Sequence, residues 1–264
     1  MIPFLKWPGG KRWLIGQFSK YLPSQIKGRY IEPFLGSGAV FFHLSPKNAL
    51  LSDTNDDLIT TYQSIKMNWQ DVKYILTQYH QVHDSTYYYE VRNSNPQDII
   101  ERAARFIYLN RTCFNGIYRV NQNGKFNVPI GTRSKVILDS DDFEAWAKIL
   151  QNTQLYCEDF EVAINKAQRD DFIFADPPYT VRHNHNGFIK YNEKLFSWDD
   201  QIRLRDALTR AKARGAKILM TNANHECVKS LYQKEFQHFI LSRFSSISAN
   251  RVNRNIFEEL IITA

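Results

Sequence analysis

Residues 29–66 carry the pattern that most limits how this chain can fold. Arg29-Tyr30-Ile31-Glu32-Pro33-Phe34 reads as a strand, Leu35-Gly36-Ser37-Gly38 as a turn, and Ala39-Val40-Phe41-Phe42-His43-Leu44 as a helix. A second strand, Ala49-Leu50-Leu51-Ser52, ends at Asp53, and the segment Asp57–Lys66 is helical in pattern. The alternation resumes near Gln154, with strands at Phe172–Ala175, Lys217–Thr221, Phe239–Arg243 and Glu258–Ile262 and a helix at Trp198–Arg214. Strands alternating with helices imply an α/β fold with a mainly parallel sheet covered on both faces. Between about 68 and 140 the texture changes to Tyr, Asn, Gln and Arg, with a helix-like stretch at Gln97–Leu109. Turn formers at Asn115–Gly131 predict a hairpin or an irregular loop there. This polar segment reads as an insertion between two halves of the sheet.

A chain of 264 residues, 43% hydrophobic, suffices for one domain or for a main domain with a modest insertion. Lys and Arg number 34 against 27 Asp and Glu, a formal charge of +7 that suits a polyanionic partner. Cys113, Cys157 and Cys227 lie far apart, which argues against a disulfide framework and against a thiolate zinc site. His183 and His185 form an i, i+2 pair in a polar loop with no third ligand in view, so no metal is expected. Met1-Ile2-Pro3 leads directly into motif-like sequence without a signal-peptide pattern. No apolar run reaches the ~20 residues of a membrane span, so a reducing cytoplasm is the expected compartment.

Three segments carry candidate chemistry. Pro33-Phe34-Leu35-Gly36-Ser37-Gly38 sits where an α/β sheet binds a nucleotide-like ligand, since glycines there allow a tight turn and close backbone approach. It lacks the full G-x-G-x-x-G of a dinucleotide site and no Walker A sequence follows. Asp53 comes 15 residues after Gly38 at the end of the next strand, where an acid can accept hydrogen bonds from ribose hydroxyls. A plain glycine turn with a helix-capping aspartate is the alternative for each element taken singly. Trp7-Pro8-Gly9-Gly10-Lys11 is a second glycine turn. Lys11 there can pair with a ligand carboxylate under Trp7, or stand as a solvated lysine. Asp176-Pro177-Pro178-Tyr179 follows the strand-like run 171–175. Two prolines fix φ and remove two N–H donors. The stiff turn sets a carboxylate and an unpaired carbonyl before an aromatic ring. Two acceptors suit the two N–H bonds of an exocyclic amine, and the ring suits stacking on a flat base; a rigid strand–loop junction with a capping aspartate is the alternative for this turn taken alone.

Taken in order, Lys6-Trp7-Pro8-Gly9-Gly10-Lys11, Glu32-Pro33-Phe34-Leu35-Gly36-Ser37-Gly38, Asp53-Thr54-Asn55-Asp56 and Asp176-Pro177-Pro178-Tyr179 closely resemble the Dam-type, D12 class DNA adenine-N6 methyltransferases. The likeness extends through Leu109–Asn121 and Gly124–Gly131 and covers nearly the whole chain. The motif order resembles the alpha group of that class. The resemblance implies a Rossmann-like S-adenosylmethionine-dependent methyltransferase sheet with an inserted, mainly helical target-recognition domain bearing a hairpin loop. It implies catalytic segments 1–56 and 141–264 and a recognition domain 57–140. It places Trp7, Lys11, Glu32, Phe34, Gly36, Gly38, Asp53, Asp159, Phe160 and Asp176 at S-adenosylmethionine. Asp159 would take the cofactor's exocyclic amine and Phe160 its adenine ring. Asp176, Pro177, Pro178 and Tyr179 would form the methylation site. Asn115, Arg119 and Pro129 would touch bases of double-stranded DNA, Arg119 matching the arginine that reads the guanine of GATC-type sites. Ser245-Ser246-Ile247-Ser248 with Arg251 and Arg254 resembles a basic loop near the DNA. Departures from the family pattern are Pro8, Thr132 and the segment Val181–Lys194.

The chemistry follows from the residues. An adenine amine is a poor nucleophile because its lone pair is delocalised into the ring. Asp176 and the Pro177 carbonyl would favour the pyramidal amine by accepting both N–H bonds, with positioning and electrostatics supplying the acceleration. The base must leave the duplex to be reached, and Tyr179 can stack on it, a contact of ~1–3 kcal/mol. The expected product is N6-methyladenine within GATC or another GAT-containing site. A cognate restriction endonuclease acting on the same site is a candidate partner. The alternatives are methylation of adenine in RNA, a non-catalytic DNA-binding protein on the same fold, and a NAD-dependent oxidoreductase.

Overall fold

Apolar runs bounded by turn residues become strands where both their faces can be buried. The computed structural model describes residues 1–17, 19–121, 124–180, 196–244 and 256–264. Its strands are β1 (Tyr30–Glu32), β2 (Ala49–Asp53), β3 (Thr153–Cys157), β4 (Phe172–Ala175), β5 (Lys217–Ala223), β6 (Gln237–Phe244) and β7 (Ile256–Thr263). They form a seven-stranded sheet of order β3-β2-β1-β4-β5-β7-β6. β1, β4 and most of β5 are buried on both faces, the condition of strands inside a parallel sheet. β1 runs parallel to β2 and to β4, with Tyr30 opposite Phe172 and Ile31 opposite Ile173, and β4 runs parallel to β5. β7 lies between β5 and β6 and is antiparallel to both. The sheet is therefore mixed: the expected parallel pairing holds for β2-β1-β4-β5, and the last two strands add an antiparallel edge.

The helices among the described residues are α1 (Arg12–Gln17), α2 (Ala39–Leu44), α3 (Asp56–Gln81), α4 (Ser85–Asn93), α5 (Ile99–Thr112), α6 (Phe143–Leu150), α7 (Phe160–Asn165), α8 (Trp198–Ala213) and α9 (Glu226–Tyr232). Short polar side chains start most of them. Asn55, Asp84, Asp98, Asp142 and Asp159 each accept a backbone N–H of the first turn, and Ser197 with Asp200 makes a full capping box. α3 runs 15 residues beyond the Lys66 end expected from its sequence. Asn68 breaks its geometry with φ −140° and ψ 38°, which hides the continuation, but Val72 and Leu76 keep the i, i+4 spacing and are buried. α4 escapes sequence reading because only Tyr88 and Val91 are buried on it, too few apolar positions to show a helical period.

Contacts divide the chain into two units. The first comprises Met1–Arg12, Gly36–Ser45 and Asp53–Cys157, and the second Trp13–Leu35, Pro46–Ser52 and Glu158–Ala264. In the first, α3 packs on α5 and α6. Phe4 meets Phe42, Tyr62 and Trp146 there, and the Trp146 indole N–H donates to the Ile2 carbonyl at 2.9 Å. In the second, α8 presents Leu204, Ala207, Leu208 and Ala211 at helical spacing. These join Ile31, Ile173, Ile218, Leu260 and Ile262 of the sheet and Phe160, Ala163 and Ile164 of α7 in one core.

The first unit also buries an ion pair. Arg111, 3% exposed, holds Asp141 with two bonds of 2.5 and 3.0 Å and donates to the carbonyls of Val136 and Phe4. Removing the carboxylate leaves a desolvated guanidinium, so Asp141→Ala is expected to cost about 3–5 kcal/mol. Equilibrium denaturation of the full chain measures it, and a loss under about 1 kcal/mol would show that water replaces the carboxylate.

Candidate active site

The order of the sheet defines a switch point. β2 lies on one side of β1 and β4 on the other, the strand order at whose carboxyl ends open α/β sheets bind their ligands. β1 ends in Glu32-Pro33-Phe34, and β4 ends directly before Asp176-Pro177-Pro178-Tyr179. Both segments belong to the second unit. Glu32 is 3% exposed and accepts the Tyr30 hydroxyl at 2.8 Å. Burial, reinforced by that carboxylate, pushes the Tyr30 phenol well above its usual range. Phe34 stacks on Phe160, with ring centres 5.3 Å apart, and meets Phe196 edge-on.

Asp176 accepts a hydrogen bond from Thr221 Oγ1 at 2.6 Å, and the Tyr179 hydroxyl donates to Glu259 Oε2. Thr221 and Glu259 are buried at 0% and 1% exposure. Neither stands out as a site residue in the sequence. The available signal is a polar residue inside an otherwise apolar strand, as in 217–223 and 258–262. Asp159 caps α7 through the Glu161 N–H and takes Arg203 Nη2 at 2.9 Å. Arg203 also pairs with Glu161 and Asp200, and its guanidinium lies 4.8 Å from the centre of the Phe160 ring. Phe160 is thus buried among Phe34, Phe196 and Arg203.

The first unit holds the two glycine turns. Trp7-Pro8-Gly9-Gly10 closes with Gly10 N–H on the Trp7 carbonyl at 3.1 Å, and Gly9 has φ +78°. That is a type II turn, which explains Pro8: its fixed φ suits the second position, and glycine suits the third. Lys11 is 4% exposed and donates to the Gly9 carbonyl at 2.9 Å, so it is a buried lysine rather than a solvated one. Gly36 has φ +47°, and a Cβ there would lie 2.7 Å from Trp7 Cδ1. The indole therefore requires glycine at this point of the second turn. Gly38, with φ +59°, opens α2.

Asp53 organises that turn. Its Oδ2 accepts the Gly36 N–H and its Oδ1 the Asn55 N–H, both at 3.1 Å, while the Tyr62 hydroxyl holds the Gly36 carbonyl at 3.2 Å. Each carboxylate oxygen has a second lone pair, so Asp53 can bind the turn and still accept from hydroxyl groups. That pair of acceptors fits the hydroxyls of a ribose. Helix capping falls instead to Asn55, whose side chain accepts the Leu58 N–H at 3.1 Å.

The 113–130 segment is a hairpin pinned by bridges Cys113↔Ile130 and Val120↔Phe126. Asn115 turns it with φ +56°, a left-handed conformation that asparagine tolerates. Asn115, Arg119 and Pro129 are all exposed on it. Arg119 Nε donates to Asn127 Oδ1 at 3.0 Å, which steadies the guanidinium. Tyr118 stacks on Trp7 at 5.6 Å and packs on Phe106 and Phe126, so the hairpin and the Trp7 turn share one aromatic cluster. Arg251, Arg254, the 245–248 serine segment and the His183/His185 pair lie outside the described residues. Among the described residues no cluster of three His, Cys, Asp or Glu is placed to hold a metal ion, and no helix is long and apolar enough to cross a membrane.

Residues 7–247 match the family described as D12 class N6 adenine-specific DNA methyltransferase. The chain is 34% identical over 270 residues to a type II methyltransferase of Lactococcus lactis subsp. cremoris, covering 99% of this chain and 94% of that protein. It is 34% identical to a type II methyltransferase of Methanocaldococcus jannaschii, over 98% of each. It is 31% identical to the DNA adenine methylase of Escherichia coli K12, over 98% of this chain and 93% of that protein.

The Asp53 environment makes a pH prediction. Burial raises its carboxyl above the ordinary 3.8, against the opposing backbone N–H bonds of Gly36, Asn55 and Thr54. The folded chain holds this proton more tightly than the unfolded one. The stability it contributes is fully present below 3.8 and is lost as pH rises through the raised value. Asp53→Asn cannot titrate, so its denaturation midpoint should gain on the wild type as pH rises above about 4. A constant difference across that range would mean that Asp53 ionises in the fold as it does in the unfolded chain.

Proposed function

The chain belongs to the D12 class of N6 adenine-specific DNA methyltransferases, and from that premise we propose that it methylates a flipped-out adenine within GATC, or another GAT-containing site, of double-stranded DNA. The observation that carries this reading is the Asp176-Pro177-Pro178-Tyr179 turn at the end of β4, beside the end of β1, with Thr221 fixing the Asp176 carboxylate. S-adenosylmethionine, when bound, supplies an electrophilic methyl group. In the first unit, Asp53 would accept from its ribose, the Gly36 and Gly38 turn would let the backbone approach, and Trp7 and Lys11 would close over its amino-acid portion. In the second, Glu32 and Phe34 would flank that portion, and Asp159 and Phe160 would take its adenine.

At the target base, Asp176 and the Pro177 carbonyl accept the two N–H bonds of the amine and draw its lone pair out of the ring. Pro177 and Pro178 keep that pair of acceptors rigid. Tyr179 stacks on the base, which has left the duplex to reach them. No covalent nucleophile is required, consistent with burial that pushes the Cys113 thiol up to about 11. We assign 57–140 to target recognition and 1–56 with 141–264 to catalysis by role. Arg251 and Arg254 would contact phosphates, and the setting would be the cytoplasm of a bacterium or a phage-infected cell. A restriction endonuclease of the same specificity is the natural partner if the enzyme serves to protect DNA.

Asp176→Ala should lower the single-turnover methylation rate at saturating cofactor by at least ~10²-fold, with cofactor and DNA still binding in titrations. A near-wild-type rate would rule out the amine-acceptor mechanism.

For specificity, Arg119 is the base reader, its fork aimed at guanine O6 and N7 in the major groove. Arg119→Ala should cost ~1–3 kcal/mol at the first guanine and relax discrimination at that base alone. Methylation of duplexes carrying every single-base change in GATC measures this for wild type and variant. Uniform weakening on all sequences, with a salt slope lower by about one, would identify a phosphate contact instead.

A further inference from the structure

The described residues that follow β4, 176–180, are tied to their surroundings through Asp176, Tyr179 and Thr180. Thr221 on β5 donates to Asp176, Glu259 on β7 accepts from Tyr179, and Gln201 on α8 donates to Thr180 Oγ1 at 2.8 Å. Gln201 is itself fixed, since its Oε1 accepts from Asn222 Nδ2 and from the Tyr232 hydroxyl, each at 3.2 Å. The β5–β7 register sets Thr221 opposite Ile261 and Ala223 opposite Glu259. Paired residues project to one face, and so do residues two apart. Thr221 and Glu259 therefore share a face of the sheet, and Asn222 projects to the other. The loop is tied on one face through Asp176 and Tyr179 and on the other through Thr180.

Glu259 is the unusual member of this set. It is 1% exposed in a strand whose next three residues, Leu260, Ile261 and Ile262, are wholly buried. A buried carboxylate weakens a fold unless its oxygens are used, and an aliphatic residue would serve the sheet better. A phenol–carboxylate bond is charge-assisted and directional. A ring held at Cβ by a proline-stiffened backbone and at its hydroxyl by Glu259 keeps one long axis.

We propose that Glu259 is a positioning residue of the methylation site, holding the Tyr179 ring at the inclination at which a flipped purine stacks on it. The inference rests on the reading of Tyr179 as the stacking partner of the target base. The bond that matters is the one between the phenol hydrogen and Glu259 Oε2. Losing either end should have one and the same effect on the reaction.

The test uses the full chain and a duplex with 2-aminopurine at the adenine that methylation mapping identifies. Glu259→Ala and Tyr179→Phe should each slow single-turnover methylation of the unmodified duplex on the order of ten-fold. The Tyr179→Phe/Glu259→Ala double variant should be no slower than its slower parent. Glu259→Gln, whose amide oxygen still accepts from the phenol, should stay within about three-fold of wild type. KM for DNA and cofactor should move little, and the 2-aminopurine fluorescence of the bound duplex should shift in Glu259→Ala and not in Glu259→Gln. Multiplying losses in the double variant, a wild-type rate for Tyr179→Phe, or a Glu259→Gln rate as low as that of Glu259→Ala would each overturn the assignment. Should Glu259→Ala fail to fold, Tyr179→Phe and Glu259→Gln decide by the same criteria. Tyr179→Ala separates the two levels. If it leaves rate and fluorescence unchanged, the stacking reading itself is wrong. If it lowers both while Tyr179→Phe and the Glu259 variants do not, only the positioning role fails.

Discussion

Tyr30 lies opposite Phe172 and Ile31 opposite Ile173, and through this parallel pairing the ends of β1 and β4 arrive together at one edge of the sheet. The neighbouring pairing of β4 with β5 sets Ala175 opposite Met220, so the residue after each, Asp176 and Thr221, come within a hydrogen bond of one another. A slip of one residue would carry the loop ~3.3 Å along the strand, farther than a hydrogen bond tolerates, and would reverse every side chain. The buried Ile31, Ile173 and Ile218 fix these registers. Apolar burial is thus what positions the most polar residues of the second unit.

The first unit solves a different problem, that of holding an irregular stretch of backbone in one conformation. Asp53 ties Gly36, Tyr62 ties the carbonyl of the same residue, and Trp7 fills the space that a side chain at Gly36 would need. Trp7 in turn stacks on Tyr118, the neighbour of Arg119. The Gly36 turn and the hairpin that carries Arg119 are therefore parts of one aromatic cluster. A shift of the indole would be felt at Tyr118 because packed rings have few alternative arrangements.

Much of this was legible in the residues. Phe172–Ala175 is a strand to the residue, and the glycine turn, Asp53 and the Asp-Pro-Pro-Tyr turn stand at strand ends as the alternation implied. The insertion between sheet segments was visible as a change in composition, and its hairpin as a run of turn formers. What could not be read were pairings set by distant chain. Strand β7 between β5 and β6 follows from tertiary packing, since periodicity does not tell parallel from antiparallel. α4 was hidden because it buries only Tyr88 and Val91, and the second half of α3 because Asn68 interrupts it. The residues left Lys11 open between a partner of a ligand carboxylate and a solvated lysine; it is buried, because the fold covers a charge that local sequence leaves open. Glu259 and Thr221 showed only as polar residues within strands, since the partners that give them a role lie 80 and 45 residues away.

Those long-range polar pairs do not hold the fold together. Thr221 sits wholly buried beside Met220 in a central strand, and valine would fill the same volume there without a hydroxyl to satisfy. A buried polar network stabilises only when every member is paired, and this one is spread over β5, β7, α8 and α9. What an apolar substitute cannot do is set the direction of the Asp176 carboxylate or of the Tyr179 ring. Dispersion contacts are non-directional and leave a side chain its rotamer choices, whereas a hydrogen bond narrows them to one. The network contributes little to the fold, and what it supplies is direction: a loop whose Asp176 carboxylate and Tyr179 ring are each held by a buried partner.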